Sequence, residues 1–547
     1  MKRCIHWTWV LLAVAAFAQQ PYDVVLLGGR VVDGTGNSWF YGDVAIRGDR
    51  ISKIAPAGVL RYVPARDRID VKGLVVAPGF IDIQSQSHEA FLNGDGRVIG
   101  KVTQGVTTEI MGEGSTDAPA NNRTPTSRFE GPHGFDSWLR AMQEHGTSVN
   151  FGSFVGAGTI RQYVKGMAQG NPTPEEIETM QTLVRQAMED GAFGIASALI
   201  YPPGNYATTH ELGEMAKAMA PYGGVYITHM RSEADQLLEA IDEAIEIGRA
   251  GGVPVEIYHL KEIGTRNWDK VRQVLSKIDT ARAAGVDVTA DMYPYIAGGT
   301  GLTACLPPWT EADGKLFDNL ADPKIRARIK AEIKSDKTNW ENMGQLAGPE
   351  GILIVGIEKP ENRRYTGKRL SEIAAMQNKD WMDAAMDLIL SERRRVETIY
   401  FMMKEDNVKL QLQQPWIKIG TDAAGLDPAD TRNLAHPRSY GTYPRILGKY
   451  VREEHAITLE DAVRKMSSAV ARRLSIQDRG LLQEGMYADI AVFDPATIID
   501  RATFEQPHQL SVGMRYVFVN GVEVVKEGQH TGVKPGRIVR GPGYSVQ

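Results

Sequence analysis

The sequence predicts an α/β chain: a TIM-type (β/α)8 barrel, a small β-sandwich formed by both chain ends, and an inserted lid or subdomain. Three observations carry that prediction. Both ends of the chain read as short strands broken by turn residues, and between them apolar runs alternate with helical periods. At 547 residues the chain is also too long for one small core.

The elements are justified in chain order. Lys2 and Arg3 precede an apolar run over 7–17, and Ala16-Phe17-Ala18 is a small-x-small pattern. Residues 1–18 therefore read as an export signal, too short for a comfortable membrane span, and the mature chain is expected in the periplasm or outside the cell. Residues 19–75 form the first part of the sandwich. The runs 22–27, 42–46 and 50–54 are separated by Gly28-Gly29, Asp33-Gly34-Thr35-Gly36 and Gly48-Asp49. Residues 480–547 form its second part, with runs at 489–493, 514–519 and 522–525. Asn520-Gly521 between the last two is a strong hairpin signal. Neither end can bury a good core alone, so the two are expected to pair.

The barrel is assigned to 76–479. Its strands are expected at 74–83, 106–111, 149–155, 192–200, 225–227, 253–258, 286–290 and 416–419, short and apolar as strands covered on both faces should be. A helix is expected over 174–188, with Thr173 as N-cap, Pro174 at the first position and Glu176 closing a capping box. Others fall at 235–249 and 269–284. About 125 residues separate strands seven and eight, far beyond an ordinary connection. This marks an insertion over about 300–415, with helices at 322–335 and 381–391 and a strand at 351–356.

The charge balance is −5, from 62 basic and 67 acidic side chains, and gives no electrostatic case for nucleic acid. Nothing after residue 18 resembles a membrane span. Of the two cysteines, Cys4 lies in the signal, so Cys305 has no intramolecular partner and reads as a small buried hydrophobe.

A barrel of this kind does its chemistry at the C-terminal ends of its strands. There the sequence offers Gln84-Ser85-Gln86-Ser87-His88, Gly112-Glu113-Gly114, Tyr201-Pro202-Pro203-Gly204, His229, His259-Leu260-Lys261 and Gly420-Thr421-Asp422. Histidines on two adjacent strands facing an aspartate suit a metal-dependent hydrolase, with zinc as the ion. A zinc ion so held lowers the pKa of water to about 7, and a nearby carboxylate can take the remaining proton.

Several blocks resemble the amidohydrolase superfamily: Ala77-Pro78-Gly79-Phe80-Ile81-Asp82, the turn region 29–36 and Gly485-Met486-Tyr487-Ala488-Asp489. Residues 104–108, 201–204, 420–422 and 436–445 resemble its D-aminoacylase branch, which removes the acyl group from N-acyl-D-amino acids. The resemblance implies that His229 and His259 hold zinc and that Asp422 is the general base. It also implies that Tyr201, Lys261 and Arg438 grip the carboxylate of a small N-acyl amino acid substrate. Two departures concern the metal. Gln84-Ser85-Gln86 stands where the family has His-x-His, so one ion rather than two is expected. The family's cysteine after strand two is missing; Glu113 is the expected third ligand and Glu109, inside the strand, the weaker candidate. His88, two residues beyond Gln86, is expected to point away from the site, and His436 is left open between the site and a loop cap. His133, His145, His210, His455, His508 and His530 lie away from strand ends and are expected at the surface. Two other readings stand beside this one: another amidohydrolase reaction such as cyclic amide opening, and a degenerate, non-catalytic barrel. A panel of linear and cyclic amides, with zinc analysis, separates the three.

Overall fold

The computed structural model describes residues 21–335 and 338–545; the expected export signal lies outside them. Among the described residues no helix is long and apolar enough to cross a membrane.

The two chain ends meet in one nine-stranded sheet. From one edge it runs Gln529–His530, Val522–Lys526, Met514–Val519, Ile490–Phe493, Val75–Pro78, Tyr22–Val31, Phe40–Arg47, Arg50–Pro56, with Ala65–Asp70 also paired to Tyr22–Val31. Period-two alternation decides its faces. Val24, Leu26, Val44, Ile46, Ile490 and Val492 pack into one core, and Val25, Ala45, Ala55 and Leu60 into another. The Asn520-Gly521 turn joins Val519 to Val522 in register, with φ of 50° and 78° at its two residues. Both values are positive, as a type I′ hairpin requires.

The expected first barrel strand divides in two. Val75–Pro78 belongs to the end sheet, antiparallel to Ile490–Phe493, whereas Phe80–Asp82 pairs in parallel with Val106–Met111. Gly79 is the joint. A Cβ there would lie 2.2 Å from Thr107 Oγ1, so no side chain fits. Both halves are fully buried, and an unbroken apolar run carries no mark of where one sheet hands over to the next.

The middle of the chain carries two parallel ladders. One is Phe80–Asp82, Val106–Met111, Asn150–Ser153; the other is Val155–Gly156, Gly194–Ala198, Val225–His229, Val255–Ile257, Val288–Met292, Ile417–Ile419. Helices alternate with these strands. Pro174–Glu189 starts with the expected capping box and buries Met180, Leu183, Val184 and Ala187. Leu237–Gly251 and Val271–Ala283 begin two residues later than the sequence suggests, each burying one apolar face.

The segment between the last two parallel strands has its own core, with Leu320, Ile329, Tyr365, Met386 and Ile389. It contains the antiparallel sheet Ala297–Gly301, Glu397–Phe401, Ile352–Gly356 and the helices Pro323–Ile333 and Trp381–Glu392. Cys305 is buried in this core, where desolvation pushes its thiol up to about 12. The end of the chain leaves the nine-stranded sheet: Gly536 N donates to Thr147 O (2.8 Å), Val539 N to Phe151 O (2.7 Å) and Gly541 N to Gly191 O (2.8 Å).

Candidate active site and metal centre

A cavity of about 820 Å³ opens where the parallel strands end. Gln86, Glu113, Tyr201, His229, His259, Lys261, Asp422 and Arg438 line it, so every residue expected at the site comes to one place. Met343, Arg395 and Met402 of the insertion complete the wall.

His229 closes the strand Val225–His229, and His259 follows Val255–Ile257 by two residues. His229 Nδ1 and His259 Nε2 both lie 3.2 Å from the same atom, Glu113 Oε1. Bonds of 2.0–2.2 Å in a tetrahedron imply ligand atoms about 3.3 Å apart, so these spacings match a zinc site without rearrangement. Electrostatics agrees. Burial works to neutralise Glu113, but the hydrogen bonds with His229 and His259 outweigh it and hold its carboxyl well below the ordinary range. Burial and Lys261 push His259 down, yet Glu233 and Glu113 win and leave it raised. The pocket therefore favours positive charge between these groups, and two imidazoles with one carboxylate are a zinc donor set.

Gln84 and Gln86 donate from their Nε2 atoms to Glu113 Oε2, each at 2.7 Å. The amides that stand in place of His-x-His thus fix the carboxylate and leave Oε1 to the histidines. Glu109 is excluded by its surroundings: it accepts from Ser85 and Ser87 and lies 3.4 Å from buried Lys101, which also pairs with Asp82.

Asp422 has φ 49° and His259 φ 33°, both in the left-handed region that disfavours side chains. Hydrogen bonds hold each there: Asp422 N donates to Gln84 O and His259 N to Asp291 Oδ1, both at 2.8 Å. Asp422 Oδ2 pairs with Arg438 Nη1 at 2.7 Å, while among the described residues Oδ1 has only a 3.5 Å contact from Gln86. Burial raises the Asp422 carboxyl, Arg438 pulls against this, and Glu113 adds to the rise.

Lys261 Nζ donates to Glu233 Oε1 (2.7 Å) and to its neighbour's carbonyl, His259 O (3.0 Å), and lies 2.6 Å from His259 Nδ1. Tyr201 sits edge-on to His229 with ring centres 5.4 Å apart, and burial keeps its phenol protonated. Arg438 lies over the Tyr293 ring at 4.7 Å, and its buried Nε makes no hydrogen bond among the described residues. His436 is in the site: its Nε2 faces Ala297 O at 2.9 Å and its Nδ1 accepts from Arg438 N at 3.1 Å. Burial and the Arg438 charge hold it neutral, so it braces Arg438.

Four residues escape the sequence reading. Tyr293 follows the strand Val288–Met292, a strand-end position that could have drawn attention to it. Glu233, in the loop after His229, and Glu341, in the insertion, carry no local signal. Gln84 was legible only as a lost ligand, not as a support for Glu113.

The amidohydrolase family model matches residues 165–525. The D-aminoacylase of Alcaligenes xylosoxydans xylosoxydans is 37% identical, over 95% of this chain and 98% of its own. The structure of N-acyl-D-glutamate deacylase from Bordetella bronchiseptica, complexed with zinc and a phosphonate inhibitor, superposes with a TM-score of 0.79 at 32% identity, covering 95% of this chain and all of that one. A D-aminoacylase studied for its binuclear metal centre gives 0.79 at 35%, again over 95% of this chain and 100% of that one. Whole-length likeness at this level of identity makes the chain a member of the amidohydrolase family in its D-aminoacylase branch.

Proposed function

We propose that this chain hydrolyses the amide bond of N-acyl-D-amino acids with one zinc ion held by His229, His259 and Glu113. The observation that carries it is the convergence of His229 Nδ1 and His259 Nε2 on one Glu113 oxygen, with Asp422 across the same cavity. A zinc ion there supplies Lewis acidity at the scissile carbonyl and lowers the pKa of water to about 7. Gln84 and Gln86, whose amides occupy Glu113 Oε2, support the reading of one ion. For the related D-aminoacylase, activation is ascribed to one metal and attenuation to a second.

The chain's own groups do the rest. Asp422 Oδ1, with no strong partner, takes a proton from attacking water and returns it to the leaving amine. Arg438, with an unused buried Nε, and Lys261 bind the substrate carboxylate, as a planar guanidinium can do bidentately. Tyr201, kept as a neutral phenol, donates toward the substrate. Holding the carboxylate at one end fixes the amide at the other and supplies part of the rate through orientation.

The two parallel ladders read as the wall of one (β/α)8 barrel. Phe154 alone separates their neighbouring ends, and a parallel bridge from Ser85 to Ala423 joins the others. The nine-stranded sheet of both ends and the segment 300–415 read as its satellite domains, and the sequence of residues 1–18 argues for export. A panel of N-acetyl-D- and L-amino acids and cyclic imides, assayed with zinc content, tests the reaction. Turnover confined to D-substrates at one zinc per chain is expected; turnover of cyclic imides alone would replace the proposal.

A further inference from the structure

Glu233 is fully buried, yet the mechanism above gives it no part beyond pairing with Lys261. Its two oxygens face two different rings. Oε1 lies 2.9 Å from His259 Nδ1, and Oε2 lies 3.8 Å from His229 Nε2. These are the ring nitrogens that point away from Glu113. His229 Nε2 and Glu233 Oε2 are buried, and neither has a hydrogen-bond partner among the described residues.

A neutral imidazole has one lone-pair nitrogen and one N–H. If Nδ1 of His229 and Nε2 of His259 give their lone pairs to zinc, the ring protons must sit on His229 Nε2 and His259 Nδ1. Each then needs an acceptor, because a buried N–H without one costs about 1–3 kcal/mol. Glu233 offers Oε1 to His259 at 2.9 Å and turns Oε2 toward His229, where the 3.8 Å gap must close by under 1 Å for a hydrogen bond to form. With the proton on His259 Nδ1, the 2.6 Å approach of Lys261 Nζ to that nitrogen must lengthen, since both then carry hydrogen, and the Lys261 ammonium keeps Glu233 Oε1 and His259 O to donate to.

The main chain that carries this carboxylate is held on both sides. Glu233 N donates to Glu341 Oε2, from the insertion, and Ile263 N donates to Glu233 O at 2.9 Å. Glu341 Oε1 is also buried without a hydrogen-bond partner, so His229, Glu233 and Glu341 form a second group that could surround a cation. The ring chemistry argues against that occupant. A cation on His229 Nε2, with Nδ1 already used, would require an imidazolate.

We infer that Glu233 is the positioning residue for both zinc-ligating histidines, one carboxylate accepting the outer N–H of each ring, and that Glu341 of the insertion clamps it in place. The inference rests on the proposed zinc site and is tested separately from it. Partners of this kind set ring tautomer and orientation, and losing one typically weakens metal binding about 10- to 100-fold.

The test is zinc affinity by chelator competition, with zinc content at saturation, for wild type, Glu233→Gln, Glu341→Ala and Glu262→Gln. Glu262 is a buried carboxyl bonded to Asn407 and Gln411, and controls for turning a buried carboxyl into an amide. Glu233→Gln can accept at one ring only and should weaken zinc about 10- to 100-fold while still saturating at the wild-type content. Glu341→Ala, which removes the acceptor of Glu233 N, should weaken it by a few fold, and it carries the test if Glu233→Gln does not fold. Glu262→Gln should bind as wild type. Wild-type affinity in both Glu233→Gln and Glu341→Ala, or an equal loss in Glu262→Gln, overturns the inference. So does a second zinc in wild type that Glu341→Ala loses, which would make the cluster a cation site. A wild type that binds no zinc overturns the proposed metal centre itself.

Discussion

At the residue scale, the decisive feature is that each reactive group is held by something specific. Asp422 keeps one oxygen on Arg438 and the other nearly unengaged, so replacing it should remove proton transfer and leave metal binding intact. Asp422→Asn is expected to lower kcat/KM about a hundred- to ten-thousand-fold with zinc content unchanged, read by steady-state kinetics and metal analysis. The pH dependence has a defined sign. Burial raises the Asp422 carboxyl, only its ionised form can take a proton, and activity is therefore lost as pH falls through the raised value. In the metal-free chain the Asp422 carboxyl should titrate above the ordinary aspartate value of about 4, and bound zinc should move it down; a metal-free value at or below about 4 would contradict the burial argument. The residues legible in the sequence were those at strand ends, His229, His259, Asp422, Glu113, Tyr201 and Lys261, together with Arg438 from the block 436–445, and all of them line the cavity. Glu233 and Glu341 were not legible, because their roles come from meeting across 108 residues of chain.

At the scale of elements, local chemistry was readable and sheet membership was not. The Thr173 capping box and the Asn520-Gly521 hairpin stand where turn and cap residues predicted them. Thr173→Ala should lower stability by about 1 kcal/mol, measured by denaturant unfolding. The run 74–83 was instead read as one strand, because burial of both halves erases the pattern that would separate them. A buried acid beside Lys261 gives a second check on electrostatics. Burial pushes Glu262 up to about 7, above an unfolded value of about 4.3. Between those values the folded chain binds more protons than the unfolded one, so its stabilising contribution fades as pH rises through that window. Glu262→Gln should be least favourable relative to wild type at about pH 4 and below and gain on it by roughly 2–4 kcal/mol by pH 8. A difference in unfolding free energy that does not change with pH would refute the assignment.

At the scale of the whole molecule, three remote parts of the chain support one cavity. The ends share a sheet, the insertion supplies part of the wall, and the last residues run back along Thr147–Phe151 and Gly191, at the starts of two parallel strands. Ending the chain after Gly532 should therefore unfold it at lower temperature than wild type, although the tail is far from the reactive groups. The alternation of strands and helices was visible in the sequence; the path of the tail was not, since it is fixed by backbone hydrogen bonds without a residue pattern. The central claim is that one zinc ion, held by His229, His259 and Glu113, supports cleavage of N-acyl-D-amino acids. Titration of metal-free protein with zinc, following bound metal and N-acetyl-D-amino acid hydrolysis together, tests it most directly. Activity should rise in step with zinc and reach its plateau at one ion per chain, and a Glu113→Ala variant should fail to reach it. Full activity without zinc, or activity that begins only with a second ion, would contradict the account.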